Sequence, residues 1–190
     1  MSSTKKIAYM AMMVTLGICL NMISFSSVQF FGRVSLVYGF CYIVGIMFGP
    51  ILGACVAMLA DILPAVLFPQ GPWMPLITIS LGMMALIVGV CYKFLNWKIQ
   101  YRLLLGVVIA FFVCTLCLTP LGETPLFYMY PYTLAKSIGA GLNIKSPYIM
   151  LALAKAITQP MWIALNYCIT LYLFARLKPL LKMHFNINPY

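Results

Sequence analysis

The stretch that decides the fold runs from Arg33 to Ser80 and reads RVSLVYGFCYIVGIMFGPILGACVAMLADILPAVLFPQGPWMPLITIS. Asp61 is the only charged residue between Arg33 and Lys93. A soluble protein does not keep so long a charge-free run on its surface, because charged residues make up about a quarter of a typical soluble chain. The run is therefore typical of membrane-spanning helices, in which the few remaining polar groups become informative.

The composition of the whole chain supports a membrane protein. Of its 190 residues, 64% are hydrophobic and 7% are charged. This length predicts a single domain, which in a bilayer corresponds to roughly six helices of about 20 residues each. The net charge of +10 would suit a nucleic-acid partner. The basic residues stand singly and form no patch, however, so we expect no nucleic acid.

The apolar runs predict an all-α integral membrane protein, with one six-helix domain over residues 1–190. The expected helices cover residues 7–26, 36–47, 51–68, 76–95, 103–118 and 148–174. The second run is short for a complete crossing, and Gly49-Pro50 marks a sharp turn after it because proline fits the start of a helix. The first run is too long for a signal-peptide core and has no cleavage site, so we expect it to remain as a transmembrane helix.

Six helices place both termini on one side of the membrane, and the positive-inside rule makes that side the cytoplasm. With this orientation Arg33, Lys136 and Lys145 face outward, and Lys155 lies within a helix. Eight basic residues face inward: Lys5, Lys6, Lys93, Lys98, Arg102, Arg176, Lys178 and Lys182. We therefore expect a multi-pass protein of the bacterial cytoplasmic membrane, whose basic residues contact anionic lipid.

The outer connection from Thr119 to Ser146 is long and carries the aromatic run Phe127-Tyr128-Met129-Tyr130-Pro131-Tyr132. A connection of this length is usually functional or disordered. So many aromatic residues argue against disorder, since they can bury surface. The segment is therefore expected to form either a lid over an outward-facing pocket or an aromatic belt at the membrane surface.

Catalysis and metal binding are poorly supported. The chain has one histidine and two acids, too few for a metal cluster or an acid–base pair. Cys114 and Cys117 have the spacing of a redox motif, but they lie in an apolar run, where cysteine acts as a small hydrophobe. The sequence has no glycine-rich phosphate loop of the ATPase type. We expect no enzyme activity, no cofactor and no metal.

Ligand binding is better supported by two ionisable residues inside predicted helices, Asp61 and Lys155. Each costs roughly 2.5–3.5 kcal/mol in a membrane, so such residues are usually paired or functional. They either pair with each other or with polar neighbours such as Asn21, or they serve a ligand. If these residues serve a ligand, Lys155 would anchor a carboxylate or a ring carbonyl of that ligand. Arg33 either reaches back to the membrane surface or borders a site.

The uncharged loop from Phe68 to Pro75 offers Gln70 for hydrogen bonding and Trp73 for stacking. Thr78 and Ser80 follow at the start of the next helix, where they either line a pocket or bond to their own backbone. Together these residues predict a pocket that opens outward, mostly apolar with a few polar groups that orient a ligand.

The first helix carries a face of small residues, made by Ala8, Ala11, Thr15 and Gly17. The spacing of Ala11 and Thr15 permits close approach of another helix. The face serves either a partner protein or packing within the chain itself.

These motifs resemble the substrate-binding S components of energy-coupling factor (ECF) vitamin transporters. The start Lys5-Lys6-Ile7-Ala8-Tyr9-Met10-Ala11-Met12 is similar to that of riboflavin-type members. Similar to folate-type members are Arg33-Val34-Ser35, Met47-Phe48-Gly49-Pro50, Ala60-Asp61-Ile62-Leu63, Phe68-Pro69-Gln70-Gly71 and Lys155-x-x-x-x-Pro160.

The resemblance implies a non-enzymatic subunit that captures a vitamin outside the cell. A transmembrane coupling protein and two ATPase subunits would then move the vitamin inward. The implied substrate-binding residues are Arg33, Gln70, Gly71, Trp73, Thr78, Ser80, Lys155 and Gln159. The implied contact with the coupling protein is the small-residue face of the first helix, at Ala8, Ala11 and Thr15.

The last helix departs from the folate-type pattern. Ala152, Ala156 and Trp162 stand where those members tend to have a basic residue, an asparagine and an acid. Each lost hydrogen bond would cost folate about 1–3 kcal/mol. The expected ligand is therefore folate or a related aromatic heterocycle, with riboflavin, thiamin or a queuosine precursor as alternatives. A small membrane enzyme and a non-transporting regulatory subunit are the competing function classes.

Overall fold

The computed structural model describes residues 3–22, 36–68, 73–95, 97–128 and 132–185, and all regular structure in these ranges is helical. The helices are α1 (Ser3–Met22), α2 (Val37–Phe48), α3 (Pro50–Leu67), α4 (Pro75–Phe94), α5 (Ile99–Ala110), α6 (Thr119–Glu123), α7 (Thr133–Leu142) and α8 (Pro147–Phe185). A π-helical segment, Phe111–Leu118, joins α5 to α6, and a 3-10 turn, Thr124–Leu126, follows α6. The predicted all-α class is confirmed.

The expected bounds of three helices are wrong. The first helix begins at Ser3 instead of residue 7, and its expected end at residue 26 lies outside the described residues. The fifth helix begins at Ile99, and its π segment leads into α6 instead of ending at residue 118. The last helix runs to Phe185 instead of ending at residue 174. The residues after 174 are mostly strong helix formers such as Leu, Lys, Ala and Arg, so the helix continues although Pro179 lies within it. The second to fourth helices lie within one residue of the expected bounds.

Within the described residues, four helical stretches are long and apolar enough to cross a membrane: Pro50–Leu67, Pro75–Phe94, Ile99–Leu126 and Pro147–Arg176. Two shorter apolar helices, Lys6–Met22 and Val37–Phe48, accompany them. The 12 residues of α2 rise only about 18 Å, less than the roughly 30 Å hydrocarbon core. Most of α2 is buried by its neighbours.

Glycines bring α2, α3 and α4 into backbone contact. Gly49, with φ of +84°, ends α2 in a conformation that favours glycine, and Pro50 begins α3. A methyl group added at Gly45 would overlap the carbonyl oxygen of Ala85 in α4. A methyl group added at Gly53 would come within 2.8 Å of the Cα of Gly45. Such close approach is how membrane helices gain packing energy without water to drive association.

The side chain of Asn166 anchors α8 to α2. Its Oδ1 accepts a hydrogen bond of 3.0 Å from the backbone N–H of Gly39. Gly39 lies in the first turn of α2, where N–H groups have no partner within the helix, and the N-cap residue Leu36 provides no side-chain cap. Water cannot replace this bond inside a bilayer. Asn166 therefore fixes the position of α8 along α2.

The segment that contains Phe127 and α7 folds against the beginning of α8. Phe127 is buried and stacks on Tyr132, with the two ring centroids 6.0 Å apart. Phe127 also packs with Ala135 of α7 and Leu151 of α8 in a small second core. Tyr128 is exposed, and residues 129–131 lie outside the described ranges. Phe127 therefore packs within the chain, and the two interpretations of this segment, a lid or an aromatic belt, stay predictions.

Candidate functional site

Asp61 connects three helices through hydrogen bonds. Nδ2 of Asn21 in α1 donates to Oδ1 of Asp61 over 3.1 Å, and Oγ1 of Thr78 in α4 donates to Oδ2 over 2.5 Å. The expected pairing of Asp61 with Asn21 is confirmed. Its expected alternative partner, Lys155, contacts a different acid. Asp61 therefore holds α1, α3 and α4 together.

The same network reaches Trp73. The indole Nε1 of Trp73 donates to Oγ1 of Thr78 over 3.0 Å. The ring is 51% exposed, so its faces are available for stacking while its N–H is held in place. Asp61 thus positions Trp73 through Thr78. Of the other residues expected near this loop, Arg33, Gln70 and Gly71 lie outside the described residues.

Ser80 contributes to packing between α4 and the π segment. Its Oγ donates to the carbonyl oxygen of Cys114 over 3.4 Å and lies 3.2 Å from Oγ1 of Thr119. Thr119 Oγ1 also donates to the carbonyl of Cys114, over 2.8 Å. Ser80 is buried in this arrangement. Since its hydroxyl is already bonded, its role as a ligand contact stays a prediction.

Lys155, Gln159 and Trp162 lie on one face of α8, because their spacing of four and three residues follows the helical repeat. Nζ of Lys155 is 2.7 Å from Oε1 of Glu123, the last residue of α6. Both side chains are largely buried, with 13% and 18% exposed. The ion pair ties the end of α6 to α8.

Three buried polar atoms near α8 have no hydrogen-bond partner among the described residues. They are Oε1 of Gln159 and Nε1 of Trp162 on α8, and Oγ1 of Thr115 in the π segment that packs on α8. Gln159 is only 5% exposed. Buried polar groups are almost always paired, and more strictly so in lipid. These atoms therefore have hydrogen-bonding capacity available for a ligand.

Sequence reasoning missed three residues that the structure brings to this region. Trp162 was noted only as a departure from a pattern, although its spacing from Lys155 and Gln159 already indicates a shared face. Glu123 falls within the expected connection from Thr119 to Ser146, and no pattern predicted a role for it. Its pairing with Lys155 across 32 residues depends on the packing of the π segment and α6 against α8. No sequence signal singles out Thr115.

The small-residue face of α1 divides into two parts. Ala8, Ala11 and Thr15 are exposed, and the hydroxyl of Thr15 bonds to the carbonyl of Ala11 in its own helix. Gly17 points inward, where an added methyl group would overlap Phe40 and Ala60. Gly17 therefore serves packing within the chain, whereas the other three residues form an accessible surface.

Comparison with known proteins identifies the family. The model of the ECF-type riboflavin transporter S component family matches residues 1–165. This chain belongs to that family. The expected S-component class is thus confirmed. The members of this family are integral membrane proteins that serve transport and are not enzymes. Within the described residues, no three His, Cys, Asp or Glu side chains gather in a metal-binding group.

Two further similarities involve folate proteins. The folate transporter FolT of Clostridium novyi (strain NT) is 36% identical over 110 residues, which are 56% of this S component and 61% of that protein. The match thus spans less than two thirds of the relative's length. A crystal structure of FolT bound with folic acid has a TM-score of 0.65 and 22% identity, over 90% of this chain and 98% of that one. At that identity the likeness shows a shared fold.

Proposed function

We propose that this S component binds an aromatic heterocyclic vitamin or vitamin precursor, of the folate class or a related one, for import by an ECF transporter. The family membership and the 36% identity to a folate transporter support this proposal. The family description points to riboflavin, so a flavin is the principal alternative. Both rings are planar and carry carbonyl and N–H groups.

The observation that carries the proposal is the pair of unpartnered polar atoms on α8. Oε1 of Gln159 is an acceptor, and Nε1 of Trp162 is a donor one helical turn away. A ring amide presents a complementary N–H and C=O at its edge. Binding such an edge would pair both buried groups, which otherwise each cost about 1–3 kcal/mol.

Other predicted residues complete the proposed site. Trp73 would stack on the ring, held by Thr78, and Lys155 would border the polar edge from the preceding turn of α8. The site is proposed to be closed by three residues of the neighbouring loops, Arg33, Gln70 and Gly71. Ser80 would support the site by fixing α4 against the π segment. Phe127 packs against the start of α8, so the segment that contains it would cover the proposed site.

The exposed face of α1 is the proposed contact with the transmembrane coupling protein. Ala8, Ala11 and Thr15 are accessible and small, so a partner helix could approach closely. Two ATPase subunits would energise transport through that protein, since the proposed task of this chain is capture. The chain is expected to act within the cytoplasmic membrane with both termini inside.

Ligand titration of the purified full chain tests the proposal. Folic acid, riboflavin, thiamin and a 7-deazaguanine base are added separately while tryptophan fluorescence is recorded, and small molecules that co-purify are identified by mass spectrometry. We expect at least one compound to bind with a dissociation constant below about 1 µM. Failure of all four to bind, with no co-purified heterocycle, would contradict the vitamin-binding function.

A further inference from the structure

The ion pair between Glu123 and Lys155 places opposite charges at the edge of the proposed site. Both residues lie in helical stretches apolar enough to cross a membrane, Ile99–Leu126 and Pro147–Arg176. The N–O distance of 2.7 Å is that of a strong charge-assisted hydrogen bond. The cation that sequence analysis offered as an anchor for a ligand carboxylate is therefore already bonded to a carboxylate of the chain itself.

A ligand anion that bonds to Lys155 would either displace Glu123 or share the cation with it. The displaced carboxylate would remain largely buried without its partner, and breaking one side of a buried pair is strongly unfavourable. If Glu123 stayed in place, two carboxylates would share one cation, and their repulsion would oppose binding. A neutral carbonyl or ring nitrogen meets neither penalty, because Lys155 has further N–H donors to offer it.

The neighbouring polar atoms on the same face are uncharged as well. Gln159, one turn from Lys155, presents its unpartnered amide oxygen, and Trp162 presents its N–H. This face therefore combines a neutralised ion pair with one neutral acceptor and one neutral donor. Its chemistry matches a ring that is polar but carries no charge.

We infer that Glu123 acts as a charge filter: it neutralises Lys155, so the part of the ligand that reaches α8 is an uncharged heterocycle. The inference rests on the proposed function and names the ligand class of that site. A charged tail, where a ligand has one, would extend away from Lys155. Glu123 is then a specificity-determining residue that acts through Lys155.

The test compares ligands that share a ring and differ in charge. One pair is 6-hydroxymethylpterin and pterin-6-carboxylate, and the other is riboflavin and flavin mononucleotide. For the pair whose ring binds, the wild-type chain is expected to hold the neutral member about tenfold or more tightly than the anion. Glu123→Gln keeps an oxygen for Lys155 but removes the negative charge, and should reduce that preference by about tenfold.

A matched control adds the same charge at a distant place. Gln100→Lys lies at the exposed start of α5, about 30 Å along the helical axis from Glu123, and should leave the preference unchanged. Equal preference in wild type and Glu123→Gln would overturn the inference while leaving the proposed function intact. If Glu123→Gln does not fold, tighter binding of the anion by the wild-type chain overturns it. Binding of none of the four compounds, nor of folic acid, thiamin or the deazaguanine base, would refute the proposed function and this inference together.

Discussion

Replacement of Gln159 by leucine should have opposite effects on stability and on ligand binding. In the described structure Oε1 of Gln159 is buried without a partner, and the side chain is 5% exposed. An unpaired buried polar group costs about 1–3 kcal/mol, and leucine of similar size carries no such group. The unliganded Gln159→Leu variant should therefore be as stable as wild type or more stable, by up to about 2 kcal/mol.

The same substitution should weaken binding of the proposed heterocyclic ligand. Losing the proposed hydrogen bond leaves a ligand donor unpaired in a dry site, which costs about 1–3 kcal/mol or roughly 5- to 150-fold in affinity. The measurements are thermal unfolding in detergent without ligand and a fluorescence titration with the compound that binds wild type. Thr158→Val is the matched control, because within the described ranges the hydroxyl of Thr158 bonds to its own helix, at the carbonyl of Ala154.

Two results would refute this reasoning. A clear loss of stability in unliganded Gln159→Leu would mean that the amide oxygen has a partner within the chain. Unchanged affinity with unchanged stability would mean that Gln159 does not face the ligand. Either result would remove the observation on which the proposed site on α8 depends.

Three further predictions concern packing and partners. Gly45→Ala should lower the free energy of unfolding by about 1–3 kcal/mol, because the methyl group overlaps the carbonyl of Ala85, and an unchanged unfolding temperature would contradict the close contact of α2 and α4. Asn166→Ala should cost about 1–3 kcal/mol in the same assay by leaving the N–H of Gly39 unpaired, whereas a loss below about 0.5 kcal/mol would show that this bond does not hold α8. Ala11→Leu should keep wild-type ligand affinity but reduce co-purification with the proposed coupling protein, and undiminished co-purification would place that contact elsewhere.

Much of the fold followed from the sequence, because membrane helices are specified locally. Twenty apolar residues bury their own backbone groups in lipid only as a helix, so length and hydrophobicity predicted the helical class. The Gly49-Pro50 turn between α2 and α3 was likewise predicted from the sequence, since glycine adopts the positive φ and proline fits the start of a helix. The continuation of the last helix was missed, because the apolar run ends near residue 174 while the more polar residues that follow are still strong helix formers.

The candidate site depended on contacts between residues far apart in the chain. Asp61 and Lys155 were recognised as costly charges, but the sequence left their partners open. The structure pairs Asp61 with Asn21 and Thr78, and Lys155 with Glu123. A residue's type and local pattern indicate that it requires a partner, whereas only the path of the helices determines which side chain comes within 3 Å.

The sequence by itself thus determined the membrane class, the helical framework and the family of this protein, because each depends on composition, periodicity or motifs along the chain. Only the tertiary structure decided that Asp61 holds helices together, that Gly17 faces inward while Ala11 stays exposed, and that Gln159 retains an unpaired oxygen. The physical reason is that a hydrogen bond between helices or a buried side chain requires two helices in contact. Such contacts exist only once the helices have packed against one another.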